Sequence, residues 1–185
     1  MIKALINETE DRMTKTLESM EEDFKSIRTG RASPALVERV TVEYYGAPTP
    51  LNQLAVISAP EPQLLVIRPY DPTSIGNIEK AILQADLGLN PNTDGRLIRI
   101  PIPRLTEERR LELVKVVKRR IEESKVALRN IRRDTLEKLR AYENDKQISE
   151  DDLKRGQDDL QKTTDYFIEE VGNMGARKEQ DIMEI

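Results

Sequence analysis

Seven basic residues recur along one stretch of this chain at spacings that gather them on one side of a helix. They are Lys115, Lys118, Lys125, Arg129, Arg132, Arg133 and Arg140. On a wheel of about 100° per residue they fall within an arc of about 100°, interrupted by Glu122 and Glu143. Arg129, Arg132 and Arg133 surround Asn130. A guanidinium presents a planar fork of donors that suits phosphates and base edges. Lys25, Arg28 and Arg31 add cations where an earlier helix ends. Two readings of the arc stand side by side: a solvated face with Glu–Lys pairs, or a surface for a polyanion. The rest of the chain bears on the choice. Segment 106–144 holds 12 Lys+Arg against 8 Asp+Glu, whereas 145–185 holds 6 against 12 and 1–28 holds 5 against 7. A positive stripe on an otherwise acidic molecule, net charge −4, orients that molecule on a polyanion.

Other chemistries find little support. The chain has no Cys and no His, which removes thiol nucleophiles, thiolate metal sites and the commonest general base. The carboxylate pairs Asp151/Asp152 and Asp158/Asp159 occupy exposed helical positions without the apolar surroundings that shift a pKa. The run Asn90-Pro91-Asn92-Thr93-Asp94-Gly95 brushes against a calcium loop, but its twelfth position is Pro101 where a Glu is needed. Asn7-Glu8-Thr9 is a glycosylation sequon with nothing to direct secretion. Gly172 and Gly175 form no phosphate loop. We expect no catalytic residue, no metal and no cofactor. No apolar run approaches the roughly 18 residues of a membrane span, and the start lacks a signal-peptide core. The expectation is a cytoplasmic binding protein, not an enzyme.

The elements that must position these residues follow from the prolines. All ten lie between Pro34 and Pro103. Proline is expelled from helix interiors, so the chain reads as helix, proline-punctuated insert, then two long helices. The first helix carries Ile2, Ile6, Met13, Leu17, Met20, Phe24 and Ile27 as one stripe, with Thr9 filling a gap, and ends at Thr29–Gly30. The second starts at Thr106 as N-cap, with Leu113, Val117, Ile121, Ser124, Leu128, Ile131, Thr135, Leu139 and Tyr142 as its stripe. The third starts at Ser149, stapled by Ile148 and Leu153, with Gly156, Leu160, Thr163, Phe167, Val171 and Met174 following. Three such stripes bury one another as a three-helix bundle. In the insert, Val40, Val42 and Tyr44 alternate as a strand, with Tyr44 and Tyr45 on opposite faces, one in the core and one a possible contact residue. Gly46-Ala47-Pro48-Thr49-Pro50 reads as a turn. Leu54–Ser58 and Leu64–Arg68 read as a hairpin around Ala59-Pro60-Glu61-Pro62. Ile75, Ile78, Ile82 and Ala85 mark a short helix, and Leu97–Ile100 a last strand. The fold class is therefore α+β with two domains: residues 1–30 and 105–185 form the bundle, and 31–104 the inserted domain. Hinges are expected at Thr29, Gly30, Arg31, Ala32, Ser33 and Pro34, and at Pro101, Ile102, Pro103, Arg104, Leu105 and Thr106.

Several motifs together resemble the bacterial ribosome recycling factor family. They are Arg28-Thr29-Gly30-Arg31-Ala32-Ser33-Pro34, Val42-Glu43-Tyr44-Tyr45-Gly46, Pro48-Thr49-Pro50-Leu51 and Ile78-Glu79-Lys80-Ala81-Ile82. Asp86-Leu87-Gly88-Leu89-Asn90-Pro91, Leu105-Thr106-Glu107-Glu108-Arg109-Arg110, Arg129-Asn130-Ile131-Arg132-Arg133-Asp134 and Ile148-Ser149-Glu150-Asp151-Asp152 complete the set, in order along the whole chain. One departure is Thr163, where the family usually carries an aliphatic residue, which bears on packing of the third helix. The resemblance implies an L-shaped monomer of transfer-RNA dimensions that binds the post-termination ribosome. With elongation factor G and GTP it splits the ribosome into subunits, the GTP being used by the partner. It further implies that the bundle rests on large-subunit ribosomal RNA through Arg28, Arg31, Arg129 and Arg132, with Arg133 beside them. Lys25, Lys118 and Lys125 join this group from the charge pattern. Tyr44 and Tyr45 are the possible contacts to elongation factor G. Neither DNA nor a membrane is expected as a partner.

Overall fold

The computed structural model describes residues 1–27 and 29–184. They divide into two compact units. One comprises Met1–Ile27 and Glu108–Glu184, the other the segment between them to Glu107.

The first unit is three long helices, α1 (Ile2–Lys25), α4 (Glu107–Asn144) and α5 (Glu150–Met183). Their buried faces follow the apolar periods: Leu5, Met13, Met20 and Phe24 from α1; Leu113, Val117, Leu128, Ile131 and Leu139 from α4; Leu160, Phe167, Val171 and Ile182 from α5. Helix α1 runs antiparallel to α4, because Thr9 meets Thr135 while Asp23 meets Arg120. Small residues let α4 and α5 approach closely. A Cβ on Gly156 would lie 3.2 Å from Leu139, and one on Gly175 only 2.1 Å from Cδ1 of Ile121. Buried hydroxyls complete the interior: the Thr9 and Thr135 Oγ1 atoms are 2.6 Å apart, and Thr164 returns its hydroxyl to the Leu160 carbonyl at 2.8 Å.

The start of α5 is fixed by a reciprocal cap. Ser149 Oγ accepts from the Asp152 amide at 3.0 Å, and the Asp152 carboxylate accepts from the Ser149 amide at 3.2 Å. The Ser149 hydrogen bonds hold the Asp152 carboxyl below the usual carboxylate range. Two expectations for these helices need correction. Helix α1 stops at Lys25, where Ser26 folds its hydroxyl back onto the Asp23 carbonyl, four residues before Gly30. In α5 the buried stripe passes through Thr164 and Gly175 instead of Thr163 and Met174. Thr163 is half-buried, so the small polar side chain at that position sits beside the core and not in it.

In the second unit, β1 (Thr41–Tyr44) pairs antiparallel with β2 (Ala47–Pro50). The Gly46–Pro50 stretch, expected as a turn, is thus mostly strand; its prolines are tolerated because a two-stranded ribbon has free edges. The true turn is Tyr45-Gly46, both with positive φ (48° and 78°), the geometry of a two-residue hairpin. Tyr45 therefore does not continue the strand. Its ring meets that of Tyr44 edge-on at 4.5 Å. A short helix α2 (Leu51–Leu54) leads into a four-stranded sheet of order β3-β4-β6-β5, built from β3 (Ala55–Glu61), β4 (Leu64–Pro69), β5 (Asn92–Thr93) and β6 (Ile98–Pro101). The hairpin is tighter than expected: β3 continues through Ala59 and Pro60 with a register shift, leaving Pro62-Gln63 as the connection. Helix α3 (Ile75–Gln84) lays Ile75, Ile78 and Ile82 on a core with Leu65, Ile67, Ile98 and Ile100. The Asn90–Gly95 run serves the backbone. Asp94 accepts from the amides of Arg96 and Leu97 and from Arg99, and these bonds hold its carboxyl down at about 2.

Candidate nucleic-acid interface

Helix α4 has two flanks, and the bundle treats them differently. On the α1 flank its polar residues are matched by neighbours. Arg120 Nε lies 2.6 Å from Asp23, Asp134 lies 3.1 Å from Arg12, and Lys138 lies 3.2 Å from Glu8. On the α5 flank the basic arc emerges, and among the described residues no acid from another helix forms an ion pair with it, although Glu179 of α5 stands beside it. Lys115, Lys118, Arg129, Arg133 and Arg140 are exposed. Lys125 is 3.7 Å from Glu122 one turn earlier. Arg133 donates to Asn130 at 3.2 Å. Arg129 makes no hydrogen bond or ion pair among the described residues. Arg132 differs from its neighbours. It is half-buried and donates from Nη1 to Gln161 Oε1 on α5 at 3.1 Å, which aims its guanidinium along the seam.

Between α4 and α5 a groove is lined by Lys118, Ile121, Lys125, Gly172 and Ala176, with Glu122 and Glu179 at its sides. Leu111 lies on the arc and Val126 just beyond its edge, each with about half of its surface in solvent (51% and 49%). Sequence reading passed over both, although their wheel positions were available. A face that alternates cations with exposed apolar groups can meet phosphates and ribose surfaces together.

The other expected contact residues are more dispersed. Lys25 sits in the last turn of α1, 3.7 Å from Glu22. Arg28 lies outside the described residues. Arg31 is exposed and belongs to the second unit. In that unit Tyr44 is half-buried, and its hydroxyl donates to Asp71 at 3.1 Å, a bond to a carboxylate that pushes the phenol pKa up. Tyr45 is 83% exposed at the hairpin tip. The expected hinge residues fall into two kinds. Ala32 donates to the Pro62 carbonyl at 2.6 Å and Ile102 to the Gln63 carbonyl at 2.8 Å, so both crossings are tied to the same sheet turn. Ser33 caps the 3-10 turn Pro34–Leu36, and Pro101 ends β6. Thr29, Gly30 and Arg31 on one side, and Pro103, Arg104, Leu105 and Thr106 on the other, lie outside helix and strand. Gly30 has φ +78° and packs against Leu105, with 3.5 Å from its would-be Cβ.

No three acidic side chains converge as metal ligands among the described residues. Asp94 and Asp152, two carboxylates with lowered pKa, are both occupied in holding turns and caps.

Known proteins share much of this sequence and its fold. A family model described as ribosome recycling factor matches residues 20–183. Ribosome-recycling factors from Syntrophomonas wolfei and Heliobacterium modesticaldum are each 56% identical to this chain over 185 residues, covering all of both chains. That of a Roseiflexus species is 54% identical over the same length. A solution structure of the ribosome recycling factor superposes with a TM-score of 0.78 at 42% identity, covering all of this chain and 98% of the other. A chain from models of the T. thermophilus ribosome recycling factor and E. coli elongation factor G bound to the E. coli post-termination complex matches with a TM-score of 0.67 at 46% identity, covering both chains fully. With both units matched along their whole length, this chain belongs to the ribosome recycling factor family.

Proposed function

We propose that this chain is a translation factor that binds the post-termination ribosome and, with elongation factor G and GTP, separates its subunits for a new round of initiation. Its contact with the large subunit is ribosomal RNA along the α5 flank of α4, through Arg129, Arg132 and Arg133, with Lys118 and Lys125 along the groove. Arg28 and Arg31, which follow α1 in sequence, add to this contact, and Lys25 does so from the end of α1. The observation that carries the site is the division of α4: acids from α1 neutralise one flank, while the other keeps its cations for an outside anion. Ribosome recycling factors are translation factors and not enzymes. This one works as a cytoplasmic monomer without a cofactor of its own; the GTP belongs to its partner.

The second unit turns on its two connections. The ties at Ala32 and Ile102 make the sheet one end of the hinge, so rotation is concentrated in Thr29–Arg31 and Pro103–Thr106. The exposed Tyr45 tip, stiffened by the Tyr44 ring, presents a surface to elongation factor G. The test is light scattering from post-termination ribosomes supplied with elongation factor G and GTP. Adding the protein is expected to lower the scattering as subunits part. Unchanged scattering with active partner factor and ribosomes contradicts the proposal.

A further inference from the structure

Arg110 breaks the pattern of the helix that carries it. It sits three residues before Leu113 on the apolar stripe of α4, at the end of the bundle where α4 begins and α5 finishes. Only 7% of its surface is exposed. Its Nε is sealed from solvent and has no hydrogen-bond partner, and the residue makes no ion pair among the described residues. The position compounds the cost. A cation in the first turn of a helix faces the positive end of the macrodipole. Burying an unpaired charge is among the costliest arrangements a protein keeps, and more than nine in ten buried polar groups avoid it. An apolar residue of the same length would fill the stripe without these penalties. Local rules are broken in this way where a residue serves a second state of the molecule.

We infer that Arg110 is a stored phosphate ligand: its guanidinium is held without a partner in the free protein and pairs with an RNA phosphate when α4 docks. The inference rests on the reading that α4 lies along ribosomal RNA. Two considerations favour a phosphate. Arg110 and the arc share helix α4, so an RNA strand that follows the arc toward the start of the helix approaches Arg110. The guanidinium fork matches phosphate oxygens better than a lysine would. Docking converts an unfavourable burial into a charge-assisted bond, so part of the binding energy is prepaid as lowered stability of the free protein.

The experiment compares the full-length parent with Arg110→Met, which keeps length without charge, and Arg110→Lys, using isolated large ribosomal subunits over a salt series. Arg129→Ala runs alongside. Arg110→Met is expected to melt at a higher temperature, to bind large subunits about tenfold more weakly or worse, and to lose about one phosphate contact from the salt slope. Arg110→Lys is expected to bind between the two. If Arg110→Met melts lower or fails to fold, the guanidinium is structural and the inference is overturned. If it melts higher but binds like the parent, the charge has no ligand and the inference is overturned as well. If the parent itself shows no salt-dependent binding, or Arg129→Ala binds like it, the failure lies with the reading of α4.

Discussion

Gly172 and Gly175 lie three residues apart on α5, and the structure assigns them opposite responses to the same added methyl group. A Cβ on Gly172 meets nothing within 4 Å, and its φ is not in the left-handed region. Gly172→Ala should therefore recover the intrinsic helix difference of about 0.8–1 kcal/mol. In a protein of this size that raises Tm by roughly 2–4 °C. A Cβ on Gly175 would lie 2.1 Å from Ile121 Cδ1 and 2.6 Å from Cγ1. Turning χ2 moves only the Cδ1 atom, and the β-branched side chain has one strongly preferred χ1 in a helix. The clash therefore pushes α4 and α5 apart, an overpacking cost of about 1–3 kcal/mol. The propensity gain offsets part of it, leaving Gly175→Ala destabilised by up to about 2 kcal/mol. The cause is isolated by a double-mutant cycle with Ile121→Ala, which opens the space. In that background Gly175→Ala should become neutral or stabilising. Thermal unfolding followed by circular dichroism of the four proteins, with Gly172→Ala beside them, gives the answer. Equal destabilisation by Gly175→Ala with and without Ile121 would refute the argument that this contact sets the spacing of α4 and α5.

Two further outcomes follow from buried and charged groups. Thr9→Val leaves the Thr135 hydroxyl without its 2.6 Å partner in the bundle interior and should cost about 1–3 kcal/mol, while the double change to valine should cost less than that single one; a denaturant melt in which the double variant is the less stable contradicts this. Asp94, with its carboxyl at about 2, contributes stability above the ordinary carboxylate pKa that is lost as pH falls from about 4 through 2. A carboxyl titration by nuclear magnetic resonance should have its midpoint near the lower value, and a midpoint near the ordinary carboxylate pKa would show that the Arg96, Leu97 and Arg99 bonds are not formed in solution.

How much of this was legible beforehand depends on which physical signal each residue carries. The long helices announced themselves, because Ser149 with Asp152 is a self-contained cap and the stripes recur over many turns. The hairpins were harder. Pro48 and Pro50 read as punctuation, yet they sit in β2, since a ribbon edge asks for no donor there. Tyr45 with φ +48° is a residue that turn preferences would not nominate, and its place at the tip depends on the register of β1 with β2. The end of α1 at Lys25 is set by Ser26 turning back on Asp23, a local competition that an apolar period continuing to Ile27 conceals. For the interface, wheel geometry placed the arc but could not say which flank faces α1. Arg120 shows the difference. By charge it resembles Arg132, but it is tied to Asp23, Ser124 and Ser19, so it is a bundle residue. Arg110 was visible only as one more arginine in a basic helix until its burial was known.

The claim at the centre of this account is that the α5 flank of α4 holds ribosomal RNA. It is tested most directly by the affinity of Arg129→Ala and Arg132→Ala for isolated large ribosomal subunits across a salt series. Lys138→Ala is the control, because Lys138 lies on the α1 flank in an exposed pair with Glu8 whose loss costs about 0–1 kcal/mol. Each arginine variant should keep its fold. Each should bind roughly tenfold to hundredfold more weakly, from a lost charge-assisted contact of about 1.5–3 kcal/mol, with a salt slope shallower by about one phosphate. Lys138→Ala should match the parent. Parent-like binding and an unchanged salt slope for both arginine variants would contradict the assignment of this face.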